Sequence, residues 1–404
     1  MLNKMSKKGT ILALILLIYY NFFNLIVIPD EICKLIRYIM FTYFIVKSRK
    51  LLFSSKINSP FLKCINFFWI ILFISIISAW AFWNQGILTT FVSSYFFFGF
   101  FLYYYLHKKN YTVKDIECGF LYASIVFIAL FAICHLVYPL RIVRGFGEVQ
   151  GIVDTSRGMS RIRLTLMGAA PIYFSFFYFI KKLQEQYSTK LLFVVCLLFA
   201  IIIMQLGRFS IALSFALGAL LYFKNVDFIK KFFACVLCIG ILFLLVEYIP
   251  IINTMINLTQ NQLSEGDEYI RSLAYEFYLN NVSPNIFTDI FGNGQYSLGK
   301  SPLGDYVDTF GRAYGLIPAD VGYAYIFLNF GYLGWLFWGT ILLFVLFAKI
   351  PSSYVYIKYY VVFLYISNFM GNTLMGGIQL LVFSIYIIDR LNTVQRWRKS
   401  KYYM

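Results

Sequence analysis

The chain has 404 residues, 60% hydrophobic and 21% aromatic, with 13% charged and a mean hydropathy of +0.73. An ordinary soluble protein carries about 25% charged residues, so this composition excludes a soluble enzyme and points to one domain, 1–404, embedded in lipid. The formal net charge is +17, from 35 Lys and Arg against 18 Asp and Glu, and its distribution decides what it means.

A helix needs about 20 mainly apolar residues to cross a bilayer. Backbone groups in lipid must be satisfied within their own segment, so apolar runs read as helices. Twelve runs are legible, at 9–28, 31–47, 65–83, 87–106, 118–139, 164–180, 190–206, 208–223, 229–250, 321–348, 354–370 and 374–389. The expected fold is therefore all-α, a polytopic transmembrane helical bundle. The first run follows Lys4, Lys7 and Lys8 as a signal peptide would, but it is long and no small-residue cleavage site precedes Pro29, so it reads as a retained helix. The second carries Lys34 and Arg37, both near enough to an end to snorkel. The tenth is interrupted at Gly331 and Gly334.

Basic residues are retained on the cytoplasmic side of a membrane. With the N-terminus inside, 24 of the 35 Lys and Arg fall at the two termini and on the even-numbered connections, and nine fall on the odd ones. Both termini are thus expected to be cytoplasmic, with two extracytoplasmic loops at about 140–163 and 251–320. The net charge then reflects lysines facing anionic headgroups and not a nucleic-acid surface.

The loop at 251–320 holds eight of the 18 carboxylates, together with Arg271, Lys300 and Arg312. Outside, the nine basic residues are eight arginines and one lysine: Arg141, Arg144, Arg157, Arg161, Arg163, Arg208, Arg271, Arg312 and Lys300. Arginine presents a planar fork of donors that grips phosphate and stays charged in a partly dry site. Pairing with Glu148, Asp154, Asp267 and Asp308 is the alternative use. Yet the first loop sets five arginines against two acids, so at least three lack a local partner. Such a cluster beside lipid points to an anion delivered from the membrane, and a lipid-linked pyrophosphate has that chemistry.

Other motifs point elsewhere and are weaker. Gly294, Gly299, Lys300 and Ser301 match the phosphate-cradling GxxxxGK[ST] pattern, which needs a strand before and a helix after. Pro302 and Gly304 follow at once, and the loop lies on the side without ATP. Cys235 and Cys238 form a CxxC inside an apolar run, and the seven cysteines do not suit a disulfide framework in the outer loops. His107 and His135 are too few for a metal cluster, so no metal or cofactor is expected.

Three local patterns now carry a family likeness. Arg157 is separated from Gly168 by ten intervening residues; QLGRFSIALSFALGALLYF places Arg208 at the opening of a helix; and the large loop runs from Arg271 through FGNG at Phe291–Gly294 to Asp320, Gly322 and Tyr323. In this layout the chain resembles the O-antigen polymerase (Wzy) and O-antigen ligase group of bacterial envelope glycosyltransferases. Two features depart from that pattern. A second Arg-Gly motif is absent from the large loop, and Ala319 and Asp320 stand where ligases tend to carry His-Asn.

The resemblance implies a multi-pass protein of the bacterial cytoplasmic (inner) membrane. It would join undecaprenyl-pyrophosphate-linked oligosaccharide repeat units into O-antigen of lipopolysaccharide, or into capsular polysaccharide, at the outer face. A chain-length regulator and a flippase would be its partners. Arg208 and Arg271 are the expected catalytic cations, with Arg157, Arg161, Arg163 and Arg312 binding pyrophosphate, and Asp320 the general base for the acceptor hydroxyl. Asp320 has an alternative use as a helix cap, and Asp308 and Glu276 are alternative bases. Tyr296, Tyr306, Tyr314, Tyr323 and Phe310 are candidates for stacking on sugars. A polysaccharide ligase and, from another class, a lipid-linked oligosaccharide flippase or transporter are the competing functions.

Overall fold

Satisfying backbone groups within each apolar run yields helices almost everywhere. The computed structural model describes residues 7–52, 59–137, 140, 142–144, 153–154, 161–162, 166–205, 207–225, 260, 264 and 269–402. In chain order the principal elements are α1 (Lys7–Tyr19), α2 (Asp30–Ser48), α3 (Pro60–Trp83), α4 (Ile87–Lys109, 3-10 over Ser94–Phe100) and α5 (Val113–Leu136). They continue with α6 (Ala170–Glu185), α7 (Thr189–Met204), α8 (Arg208–Tyr222), α9 (Ile270–Glu276), α10 (Ile286–Phe291) and α11 (Pro302–Phe310). The last are α12 (Gly322–Phe347), α13 (Tyr356–Ser367) and α14 (Ile378–Tyr402). Two short strands, β1 (Val153–Asp154) and β2 (Arg161–Ile162), pair antiparallel with Asp154 opposite Arg161.

Among the described residues, four helices are long and apolar enough to cross a membrane: α3, α4, α5 and α12. Helices α7 and α8 are apolar but shorter, at 16 and 15 residues. The other expected runs are helical for most of their length, except 229–250, which lies outside the described residues with Cys235 and Cys238.

The chain divides into two compact units. The first comprises Met1–Leu16, Lys34–Gly119 and Ile270–Met404; the second comprises Leu17–Cys33 and Phe120–Tyr269. In the first, α3 and α12 run antiparallel, since Phe61 meets Phe344 at 6.0 Å and Phe68 meets Phe337 at 4.7 Å between ring centroids. Phe68 also touches Phe97, Phe100 and Phe330, so one ring ties α3, α4 and α12 together. Arg37 corrects the sequence reading. It does not snorkel but is buried, donating to the Tyr95 hydroxyl at 3.0 Å and lying over the Tyr95 and Phe96 rings. Aromatic faces and a phenol make a partly dry guanidinium tolerable there.

In the second unit α6, α7 and α8 pack together. A Cβ at Gly218 would come within 2.8 Å of the Ile180 side chain, so the glycine sets the approach of α8 to α6. Phe120 stacks on Phe174 at 4.0 Å, and Ser124 and Ser175 share a hydrogen bond of 2.8 Å, joining α5 to α6.

Candidate functional site

The polar stretch ahead of α12 folds into a layer of its own on the N-terminal half of that helix. Ala274, Tyr278 and Val282 from the α9 segment meet Leu303 and Val307 from α11, then Leu316, Val321, Ala324 and Leu328, in one buried cluster. Local chemistry explains the short helices. Asn285 and Thr288 form a reciprocal capping box on α10, while Ser301 accepts the Gly304 N–H to cap α11.

Helix α12 is broken at Gly331, where φ is 59° and ψ is −153°, a region open in practice to glycine alone. The break frees carbonyls of the first half-helix, and the segment after α10 takes them up. The Asn293 N–H donates to Leu328 O at 2.9 Å and the Gly294 N–H donates to Asn329 O at 3.1 Å. Gly292 permits this approach: its φ is 82°, and a Cβ there would stand 2.2 Å from Asn329 O. The Asn293 side chain, fully buried, accepts from Trp83 Nε1 at 2.8 Å and donates to Leu328 O and Ser283 Oγ. The FGNG motif thus serves as the cap of a helix broken within an apolar segment, where irregular backbone is tolerated only if protein or a water-filled cavity covers it.

Arg271 borders the turn between α13 and α14, and Asp320 lies two residues before Gly322, which packs against that turn. The half-buried Arg271 reaches Met370 Sδ with Nη1 at 3.5 Å, and one helical turn on, the Tyr275 hydroxyl donates to Phe369 O at 3.0 Å. Gly322 presses on the same turn, because a Cβ there would stand 2.2 Å from Gly371 O and 2.5 Å from Asn368 Oδ1. Two residues earlier Asp320 closes a single 3-10 turn, exposed, its carboxylate making no hydrogen bond or ion pair among the described residues. The capping alternative for Asp320 does not match this geometry: the N-cap of α12 is Val321, with no side-chain bond. Burial raises the Tyr275 hydroxyl above its ordinary value near 10, against the lowering charge of Arg271. The phenol therefore stays neutral and acts here as a donor.

The remaining candidates divide. Arg312 pairs with Asp308 at 3.6 Å, an exposed contact worth little energetically. Glu276 is exposed. Arg208, half-buried, is the first residue of α8 and belongs to the second unit, whereas Arg271, Arg312 and Asp320 belong to the first. A cation at a helix N-terminus opposes the helix dipole, so its position is not explained by helix stability. Arg157 and Arg163 lie outside the described residues, with Arg141, and Arg161 is described only through its backbone pairing in β2. Arg144 turns out to have a structural partner remote in sequence: it pairs with Asp30 and donates to the carbonyls of Leu25 and Ile28.

Of the proposed stacking residues, Tyr314 (72% exposed) and Phe310 (52%) present free area. Tyr296 packs in the buried cluster beside Tyr325, Tyr306 packs between Trp83 and Phe310, and Tyr323 donates to Tyr365 O. The GxxxxGK[ST] match is not a phosphate loop. A helix does follow, with Pro302 in its first turn where proline is well suited, but coil and not strand precedes it, and the Ser301 hydroxyl is held by Ser297 and Gly304.

Sequence reasoning missed the polar atoms of the α13–α14 turn. Asn368 is fully buried, its Oδ1 accepting the Leu374 N–H at 3.0 Å, while its Nδ2, Ser367 Oγ and Asn372 Oδ1 have no hydrogen-bond partner among the described residues. The available signal was Asn-x-x-Gly-Asn at Asn368–Asn372, interrupting two apolar runs. Buried amides of this kind are expensive unless something hydrogen-bonds to them.

Comparison with family models, curated protein sequences and solved structures finds no match to this chain. Its class follows from the fold itself: a helical membrane protein, with a folded polar layer beside a broken membrane helix.

Proposed function

We propose that the protein is a metal-independent polysaccharide polymerase of the bacterial cytoplasmic membrane, with twelve membrane helices, cytoplasmic termini and its polar layer on the outer face. Its substrates are oligosaccharides on undecaprenyl pyrophosphate, a growing chain as donor and one repeat unit as acceptor. The observation that supports this reading is the half-buried Arg271, its guanidinium 3.5 Å from Met370 in the turn between α13 and α14, in the same unit as the exposed carboxylate of Asp320.

In the proposed reaction an acceptor hydroxyl oxygen attacks the anomeric carbon of the donor chain. The bond from that carbon to the pyrophosphate oxygen breaks, and lipid pyrophosphate departs with the electron pair. Asp320, exposed and with no hydrogen bond or ion pair among the described residues, takes the hydroxyl proton. Arg271 offsets the charge developing on the leaving group, a task that positioned cations perform without a metal, and Arg208, Arg157, Arg161 and Arg163 are proposed from the sequence as further cations for the pyrophosphate.

The test is substitution in cells that make the polymer. Arg271→Ala and Arg208→Ala abolish polymer while protein level holds, and Lys300→Ala leaves polymer unchanged. Normal polymer in either arginine variant would remove the pyrophosphate site.

A further inference from the structure

A second site lies at the far end of α12, roughly 24 Å from Asp320 at about 1.5 Å of helix per residue. Here α3 and α12 leave between them a cavity of about 530 Å³, lined by Pro60, Lys63, Cys64, Phe67, Leu336 and Phe344 among others. Its walls are the segment 60–67 of α3 and the segment 336–344 of α12, about 10 and 12 Å of helix. That is less than half of the ~30 Å hydrocarbon thickness, so the cavity serves one leaflet.

Charge marks which end of a lipid it meets. Helix α3 has 24 residues, about 36 Å, slightly more than the hydrocarbon core, which places Lys63 close to the headgroup boundary. Lys63 is exposed and its ammonium has no hydrogen bond or ion pair among the described residues. Lys349 is exposed just past the C-terminus of α12, and Lys358 reaches back to Leu346 O at 2.7 Å, so the rim at this end is basic. The rest of the lining is apolar, apart from Cys64 and Thr340, whose hydroxyl is already bonded to Leu336 O.

We infer that this cavity is a binding site for one anionic phospholipid, its acyl chain between α3 and α12 and its phosphate on Lys63. Tight cross-contacts of Phe61 with Phe344 and of Phe68 with Phe337 fix the two walls, so the chain fills a preformed gap. The site needs only the membrane placement of α3 and α12 and stands apart from the polymerase reading.

The experiment uses the full chain in nanodiscs of phosphatidylcholine containing a minor fraction of phosphatidylglycerol, followed by native mass spectrometry of the released protein. The wild type is expected to retain one phosphatidylglycerol in preference to phosphatidylcholine. Lys63→Ala lowers that retention about five-fold, the effect of one lysine near a headgroup, while Lys63→Arg restores it and Lys300→Ala changes nothing. Leu336→Trp, at a position 58% exposed and therefore tolerant, fills the cavity and lowers retention of any lipid. Equal retention by wild type and Lys63→Ala, or no preference for phosphatidylglycerol, overturns the inference. Displacement by an equal fraction of undecaprenyl phosphate also overturns it, by assigning the cavity to the polyprenyl carrier.

Discussion

Replacing Gly331 with alanine tests the account of the broken helix, because two effects of opposite sign compete at that residue. In a regular helix, alanine for glycine is favourable by about 1 kcal/mol. At Gly331 the backbone sits at φ 59° and ψ −153°, and a Cβ would stand 2.2 Å from Asp289 O and 2.6 Å from both the carbon and oxygen of the Ile290 carbonyl. Those obstacles are main chain and cannot rotate away. Forcing such a conformation costs about 1–3 kcal/mol. Moving α10 aside to relieve the clash also loosens the donations from Asn293 and Gly294, at about 1 kcal/mol each. The net expectation for Gly331→Ala is a loss of roughly 3 kcal/mol or more, read as a lowered thermal midpoint and reduced monodisperse yield in detergent. Gly339 is the control on the same helix, since a Cβ there meets nothing within 4 Å. Gly339→Ala should be neutral or mildly stabilising. An unchanged or raised midpoint for Gly331→Ala would refute the reasoning, as continuous helix would then serve equally well.

Asn293→Ala removes a fully buried amide that joins Trp83, Ser283 and Leu328 O. At about 1–3 kcal/mol for each buried group left unpaired, it should lower the thermal midpoint nearly as far as Gly331→Ala. Asp320→Asn should abolish polymer with an unchanged thermal midpoint, since the exposed carboxylate makes no hydrogen bond or ion pair among the described residues; polymer at the wild-type level would end its role as base. Burial raises the Tyr275, Tyr278 and Tyr296 hydroxyls above the ordinary phenol value near 10, so stability from these neutral phenols is fully present below pH 10 and lost as pH rises beyond it. Tyr278→Phe loses the bond to Leu316 O at neutral pH, about 1 kcal/mol, and should show a shallower decline in thermal midpoint between pH 9 and 11.

The helices were legible because each apolar run carries its own reason for being helical. Their ends were less readable: the run expected at 65–83 begins five residues inside α3, whose N-cap is Ser59, and the short helix that Ser301 caps was not expected at all. Partners distant in the chain were not legible. Arg37 was read as a snorkelling residue because Tyr95, 58 positions away, gives no local sign of its role. Arg144 looked like a spare cation because Asp30 lies 114 positions earlier. Gly331 was visible as a break in α12, yet what fills the break comes from Asn293 and Gly294. In the candidate site, Arg271 and Asp320 stood out through residue type and position. The turn that Arg271 and Gly322 pack against did not, because asparagine between apolar runs reads first as an ordinary loop.

The central claim is best tested by resolving surface polysaccharide on a gel from cells lacking this gene, with and without a complementing copy. The polymerase account predicts that the wild-type ladder collapses to single repeat units on their normal carrier and returns with the complementing copy. Polymer that persists on undecaprenyl pyrophosphate without reaching its acceptor would instead identify a ligase. Lipid-linked single units held on the cytoplasmic side would identify a flippase or transporter and contradict the account.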